Sequence, residues 1–160
     1  LTMRDAIDIT IPSDPKMMRL VRKTVAQACE MVGFDSRVTH AITLAVDEGC
    51  TNIIRHCYGG SLAGSIVVRI CLYGDRIEIF LRDFGDSIDL QRLQRCIEKR
   101  RREIESSKAP LRPGGLGVIL IHSVMDKVKY RTSSKSGTVL KLVKYLSATG
   151  EKKVAIKRTS

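Results

Sequence analysis

Residues 36 to about 58 read as one long helix with two different faces, and this stretch limits the possible folds more than any other. Val38, Ile42, Ala45, Val46, Gly49 and Ile53 recur at helical spacing and require a second layer to cover them. Within LAVDEGCTNIIRHCYGG, residues 44 to 60, a second stripe holds Leu44, Glu48, Asn52 and Arg55. That stripe begins apolar and turns polar halfway. A helix wetting its polar side produces this pattern, and so does a helix presenting a carboxylate and an amide to a ligand. Asn52 is the less expected member, because Asn is a poor interior helix residue and gains nothing there without a partner.

At 160 residues the chain suits one domain with a continuous core and leaves no room for two. A hydrophobic content of 43% argues against disorder, and apolar runs such as Ile66 to Leu72 are too short to cross a bilayer. Residues 1 to 8 lack the basic stretch, apolar run and cleavage site of a secretory leader, so a cytoplasmic location without membrane attachment is expected. The cysteines, at positions 29, 50, 57, 71 and 96, are odd in number and show no paired short spacings. Reduced, buried thiols are expected. Cys50, His56 and Cys57 lie close together, yet a tetrahedral zinc site needs four convergent ligands and no second pair is evident.

The net charge of +11 suits nucleic acid or an acidic protein equally well. Much of it falls in residues 91 to 112, with Arg92, Arg95, Lys99, Arg100, Arg101, Arg102, Lys108 and Arg112, and in the basic stretch 151 to 160. A solvated helix and a frayed tail would show the same run. These bases are not interleaved with aromatics and no nucleic-acid module is recognisable, so direct nucleic-acid binding is not expected.

Periodicity and punctuation predict the element order. A strand over Ala6 to Ile11 meets Pro12, and a helix runs from about Lys16 to Val32 before Gly33. Asp35 or Ser36 caps the second helix, which continues to about Tyr58 and stops at Gly59-Gly60. Strands over Ser65 to Tyr73 and Arg76 to Arg82 form a hairpin through Gly74-Asp75. The segment from 83 to 115 is long and charged with a helical patch inside it, as functional lids often are. A helix over Leu116 to Met125 and strands over Lys127 to Thr132 and Thr138 to Tyr145 complete the order. These features predict an α/β (α+β) two-layer sandwich with a mixed, mainly antiparallel sheet.

Two more motifs bear on the polar stripe. RDFGDS, residues 82 to 87, puts Asp83 and Gly85 where the chain leaves a strand, so that a carboxylate can face a cleft. RPGGLGVILI, residues 112 to 121, puts Gly114, Gly115 and Gly117 before a helix, where unobstructed backbone amides can bind phosphate. Each alone also fits an ordinary turn or loop. Their order and spacing together are far more specific.

The combination resembles the GHKL ATPase superfamily, named for its gyrase, heat-shock chaperone, histidine kinase and mismatch-repair members, from about Ala6 to Leu146. It is most similar to the bacterial anti-sigma factor serine/threonine kinases. The similarity is carried by DEGCTNIIRHCY, RDFGDS, GGLGVILIHSVMD and SGTVLKL. Ser87 stands where other GHKL proteins have a second glycine, an absence several of these kinases share. Histidine kinases are less similar, because they need a separate dimerisation segment with a phosphoacceptor histidine, whereas His40, His56 and His122 all fall inside the one domain.

The resemblance implies a Bergerat-type ATP-binding fold over 1–146, an ATP lid over about 84–115 and a basic tail over 147–160. It implies ATP and Mg²⁺ as cofactors. Asn52 matches the magnesium-holding position, and Glu48 the general base that takes a proton from a serine hydroxyl. Arg55 lies where a basic residue contacts phosphate. Asp83 matches the acceptor for the adenine amino group, with Gly85 and Thr138 shaping that pocket. Gly115, Leu116, Gly117 and Val118 form the phosphate-approaching segment. Arg22, in RKTVA, lies in a stretch similar to a partner-binding segment, with Lys23 an equal alternative. The lid carries more basic residues than a typical member's.

The implied function is an ATP-dependent anti-sigma factor and protein serine kinase. It would phosphorylate a STAS-type anti-anti-sigma protein in a partner-switching system and work as a homodimer. The alternative is a nucleotide-binding adaptor that regulates a protein partner without phosphoryl transfer. Glu48 and Asn52 together favour the enzyme, because an adaptor can bind ATP without the base.

Overall fold

The computed structural model describes residues 2–85, 89–106 and 115–147. The chain begins with β1 (Met3–Pro12), then a short 3₁₀ turn (Pro15–Met17), α1 (Met18–Val32) and α2 (Ser36–Asn52). A π-helical turn (Ile53–Cys57) extends α2, followed by β2 (Ser65–Tyr73) and β3 (Arg76–Asp83). The chain continues through α3 (Leu90–Glu105), α4 (Leu116–Val124), β4 (Lys127–Ser133) and β5 (Gly137–Tyr145).

The sheet order is β1-β2-β3-β5-β4, and all four pairings are antiparallel. The two-layer sandwich agrees with expectation, but the sheet is not mixed. β3 and β4 do run in the same direction, as their crossover through α3 and α4 requires, yet β5 lies between them and pairs with both.

Register across the sheet produces inner rows that explain the core. Ile7, Ile70, Ile79, Leu142 and Val128 form one row, and Ile9, Val68, Leu81, Leu140 and Tyr130 the next. The period-2 strand pattern puts these residues on one face, and α1, α2 and α4 cover it. The following row reads Ile11, Ile66, Asp83, Thr138 and Thr132. Apolar filling stops halfway along it, and a carboxylate takes the next place.

Local chemistry sets the helix ends. Asp35, rather than Ser36, caps α2, its Oδ1 accepting from the Val38 N–H at 2.8 Å. Gly33 ends α1 at φ 107°, with its N–H and that of Phe34 both reaching the Cys29 carbonyl. Gly49 lets α2 settle on the sheet, since a Cβ there would lie 2.6 Å from Leu81 Cδ1.

The predicted second helix changes character before its end. Tyr58 N–H reaches the Ile53 carbonyl at 3.2 Å, five residues back, so the last turn is wider than an α turn. Its neighbours explain the widening. The Tyr58 hydroxyl donates to the Ser65 carbonyl at 2.6 Å and accepts from the Phe84 N–H at 2.8 Å, which ties this turn to the exit of β3. Among the described residues, no helix is long and apolar enough to cross a membrane.

Candidate nucleotide-binding site

A cavity of about 570 Å³ lies between the helical layer and the sheet, of the size that holds a small organic ligand. Gly49, Asn52, Ile53 and His56 form one wall, and Gly115, Gly117 and Val118 at the start of α4 form another. Asp89, Arg92, Leu93, Cys96 and Ile97 line it from α3, while Tyr130 and Leu140 rise from the sheet. The helical patch in the expected lid is therefore α3, and its apolar side faces the cavity.

Asn52 projects from the last α turn of α2 into this space. Arg55 is exposed and does not line the cavity; His56 occupies that wall instead. The π turn accounts for the change. An i to i+5 turn advances the helix by fewer degrees per residue, so four residues beyond Asn52 remain on its face while three fall short.

At the start of α4, Gly115 has φ 74° and no side chain caps the helix. The first backbone N–H groups of α4 therefore carry no intrahelical partner and point toward the cavity end, an arrangement that favours an anion. Gly117 is required for packing: a Cβ there would collide with the Glu48 carboxylate oxygen Oε2. Glu48 thus sits across Gly117 from the cavity. It lines a separate open groove of about 380 Å³ with Leu116, Ile119, Leu120 and Ser123.

Asp83 is 1% exposed, on the sheet row next to cavity-lining Leu140 and Tyr130. Its Oδ1 accepts from the Gly85 N–H at 3.1 Å. The carboxylate Oδ2 is buried with no hydrogen-bond partner among the described residues. Burial raises the Asp83 pKa, while the Gly85 amide, the Cys57 thiol and the Thr138 backbone oppose that rise. Thr138 faces Asp83 across the β3–β5 ladder and lies 3.1 Å from Thr132 through their hydroxyls. Gly85 leaves no room for a side chain, because its Cβ would strike the Cys57 carbonyl.

The structure therefore brings Asn52, Gly115, Gly117 and Val118 to one cavity and sets Asp83, Gly85 and Thr138 beside it. Glu48 and Leu116 lie on the neighbouring groove. Arg22 lies on α1, where its Nη1 pairs with Asp47 at 2.7 Å on the α2 surface, away from the cavity. Asp86, Ser87, Ile88, residues 107–114 and residues 148–160 fall outside the described residues, so much of the expected lid and nearly all of the tail do too.

The residues present suit an adenine nucleotide. A buried, unpartnered acceptor at Asp83 matches an exocyclic amino donor, and the uncapped α4 start matches phosphate. No group of three or more His, Cys, Asp or Glu side chains converges on a metal position among the described residues. A magnesium ion would thus depend on Asn52 together with phosphate and water oxygens, as that ion commonly does.

Sequence reasoning missed His56, Asp89, Arg92, Cys96 and Tyr130 as wall residues. The i+4 spacing from Asn52 could have found His56; the others needed the folding of α3 over the sheet.

A two-layer sandwich with such a cavity is the frame of an ATPase-type nucleotide-binding domain, and comparison with known proteins agrees. Residues 11–144 match the histidine kinase-like ATPase domain family. The chain is 32% identical over 146 residues to the serine-protein kinase RsbW of Bacillus velezensis, covering 91% of this chain and 89% of that protein. It is 33% identical over 144 residues to the RsbW of Halalkalibacterium halodurans, covering 89% and 84%. The chain belongs to the histidine kinase-like ATPase family and, within it, to the serine-protein kinase RsbW family. A crystal structure of the RsbU and RsbW domains of a Mycobacterium tuberculosis protein shares the fold, with a TM-score of 0.60 at 17% identity. The match covers 88% of this chain and spans about a third of the solved one, 32%.

Proposed function

We propose that this chain is an ATP-dependent protein serine kinase and anti-sigma factor that phosphorylates a STAS-type anti-anti-sigma protein in a partner-switching system. The observation that carries the reading is the placement of Glu48 and Asn52 one turn apart on α2, on opposite sides of Gly117. One residue faces the nucleotide cavity and the other faces a groove open to a protein partner.

ATP supplies the phosphoryl group and the nucleotide-dependent conformation. Asp83 Oδ2 accepts from the adenine amino group, and Gly85 and Thr138 hold that carboxylate in place. Asn52 would hold magnesium through its amide oxygen, and the ion would offset phosphate charge. The α4 backbone amides, with His56 and Arg92 nearby, stabilise phosphate charge. Glu48 takes the proton of the attacking serine hydroxyl as its oxygen bonds the γ-phosphorus of ATP, the bond from that phosphorus to the β–γ bridging oxygen breaks and ADP leaves.

The proposed kinase domain covers 1–146 with its lid over 84–115, followed by the basic tail over 147–160. We assign it a cytoplasmic location and a homodimeric state. The charge of +11 suits acidic partner proteins, with Arg22 a candidate contact.

The test is a tagged pull-down from the source cell's extract with magnesium-ATP and then magnesium-ADP, followed by mass spectrometry of captured proteins and phosphoserines. A sigma factor is expected with ATP and a STAS-type protein with ADP, the latter phosphorylated by wild type but not by Glu48→Ala. Nucleotide-dependent capture without a phosphorylated partner would remove the kinase and leave an adaptor.

A further inference from the structure

Tyr58 reaches beyond the turn it closes. Its hydroxyl accepts from the Phe84 N–H at 2.8 Å and donates to the Ser65 carbonyl at 2.6 Å, so its proton and a lone pair are both engaged. Gly64 seats the ring from one side, where a Cβ would lie 2.6 Å from ring carbons Cγ, Cδ1 and Cε1. Gly64 is fixed in turn by fully buried Ser13, just after β1. The Ser13 Oγ accepts from the Gly64 N–H at 2.9 Å, and the Ser13 N–H donates to the Gly64 carbonyl at 2.9 Å.

What the hydroxyl holds is the exit of β3. The ladders to β2 and β5 both end at Asp83, so Phe84 lies one residue past the last paired position, with its side chain 53% exposed. The peptide between Asp83 and Phe84 is constrained on both sides. Tyr58 takes its N–H, and Gly137 packs against its carbonyl oxygen, which a Cβ at that glycine would strike. The next N–H, that of Gly85, donates to Asp83 Oδ1 at 3.1 Å.

We propose that Tyr58 is a positioning residue for base recognition, its hydroxyl fixing the Asp83–Phe84 peptide so that the Asp83 carboxylate presents Oδ2 to the adenine amino group. The proposal rests on the adenine reading of Asp83 and deepens it. A peptide is planar, so the bond at the Phe84 N–H sets the plane from which the Gly85 N–H meets Oδ1. Without the hydroxyl, the Phe84 N–H turns to water, the plane rotates and the carboxylate loses its aim. Hydrogen bonds weaken steeply as their angle closes, so the base amino group feels that rotation. The rest of the nucleotide meets walls built by α2, α3 and α4, which the hydroxyl does not touch.

The test uses the full chain with ADP and with purine riboside diphosphate, which lacks the 6-amino group. In calorimetric titration, wild type should bind ADP about tenfold more tightly or better. Tyr58→Phe should cut that preference by about threefold or more, while purine riboside diphosphate keeps its affinity within about twofold. Gly64→Ala displaces the ring and retains the hydroxyl; it should have the same effect and serves as the second variant if Tyr58→Phe does not fold. Labelling wild type with ¹⁵N-phenylalanine reads the bond directly, because the chain has three phenylalanines. The Phe84 amide should exchange slowly with solvent although it lies beyond the ladder. Where wild type prefers ADP, three results overturn the positioning role and leave the Asp83 reading standing: an undiminished preference in Tyr58→Phe, an equal loss for both nucleotides, or a Phe84 amide exchanging as fast as exposed backbone. Equal affinity of wild type for the two nucleotides removes the Asp83 reading, and the positioning role with it.

Discussion

Replacing Asp83 by Asn tests the nucleotide site through two opposed effects. In the free protein Oδ1 is satisfied by Gly85 at 3.1 Å, while Oδ2 is buried without a hydrogen-bond partner among the described residues. Burial raises the folded-state pKa above that of an ordinary aspartate, so the folded protein binds this proton more readily than the unfolded chain does. The ionised carboxylate therefore costs stability at neutral pH, and the cost disappears below the unfolded pKa. Asn carries no such charge. Free Asp83→Asn should melt no lower than wild type near pH 7, with any advantage shrinking toward about pH 4. Nucleotide binding should move the other way. The Asn oxygen can keep the Gly85 bond, which leaves an NH₂ donor facing the adenine amino donor. An unsatisfied donor of this kind costs about 1–3 kcal/mol, or roughly 5- to 150-fold in affinity. Guanine presents a carbonyl oxygen at the corresponding position, so GDP should lose less than ADP. Calorimetric titration with both nucleotides, alongside thermal melts, reads every arm. Unchanged ADP affinity, equal loss for both bases, or a destabilised free protein would refute the reasoning and make Asp83 structural.

Other perturbations separate neighbouring roles. Asn52→Ala should make ADP binding insensitive to magnesium, measured by titration with and without a chelator; normal dependence would remove the metal role. His56→Ala should weaken nucleotide binding by about tenfold or less, the worth of one modest contact, whereas Arg55→Ala should leave it unchanged because Arg55 is exposed outside the cavity. Iodoacetamide should label Cys96 first in the folded protein, since burial pushes the Cys29 and Cys50 thiols up to about 12 and Cys57 and Cys71 are also buried. Magnesium-ATP should slow that labelling, because Cys96 lines the cavity. Gly49→Ala should lower the unfolding free energy by about 1–2 kcal/mol, read from urea titration: its Cβ would lie 2.6 Å from fully buried Leu81, outweighing the roughly 1 kcal/mol gain in helix propensity.

Element positions were legible because helices and strands have different periods. The core stripe of α2, the alternation in β2 and the glycine that ends α1 each carry a local physical requirement. The π turn was not legible, since Tyr58, which closes it, is held by the Ser65 carbonyl across the following loop and by the Phe84 N–H 26 residues away. The same holds for the fully antiparallel sheet. Insertion of β5 between β3 and β4 is a matter of pairing, and hydrophobic pattern does not specify which strand a neighbour will be.

By itself the sequence determined the alternation of layers and placed Glu48, Asn52, Asp83 and the glycines before α4 at spacings that only a few chemistries require. These are local properties, set by backbone period, capping and the special conformations of glycine. Tertiary structure alone decided that His56 rather than Arg55 faces the cavity, that α3 walls it, that Asp83 keeps a buried acceptor free, and that Glu48 opens onto a groove across Gly117. Those relations depend on how closely α2 lies on the sheet and on α4, and burial and close contact exist only between elements that have already packed.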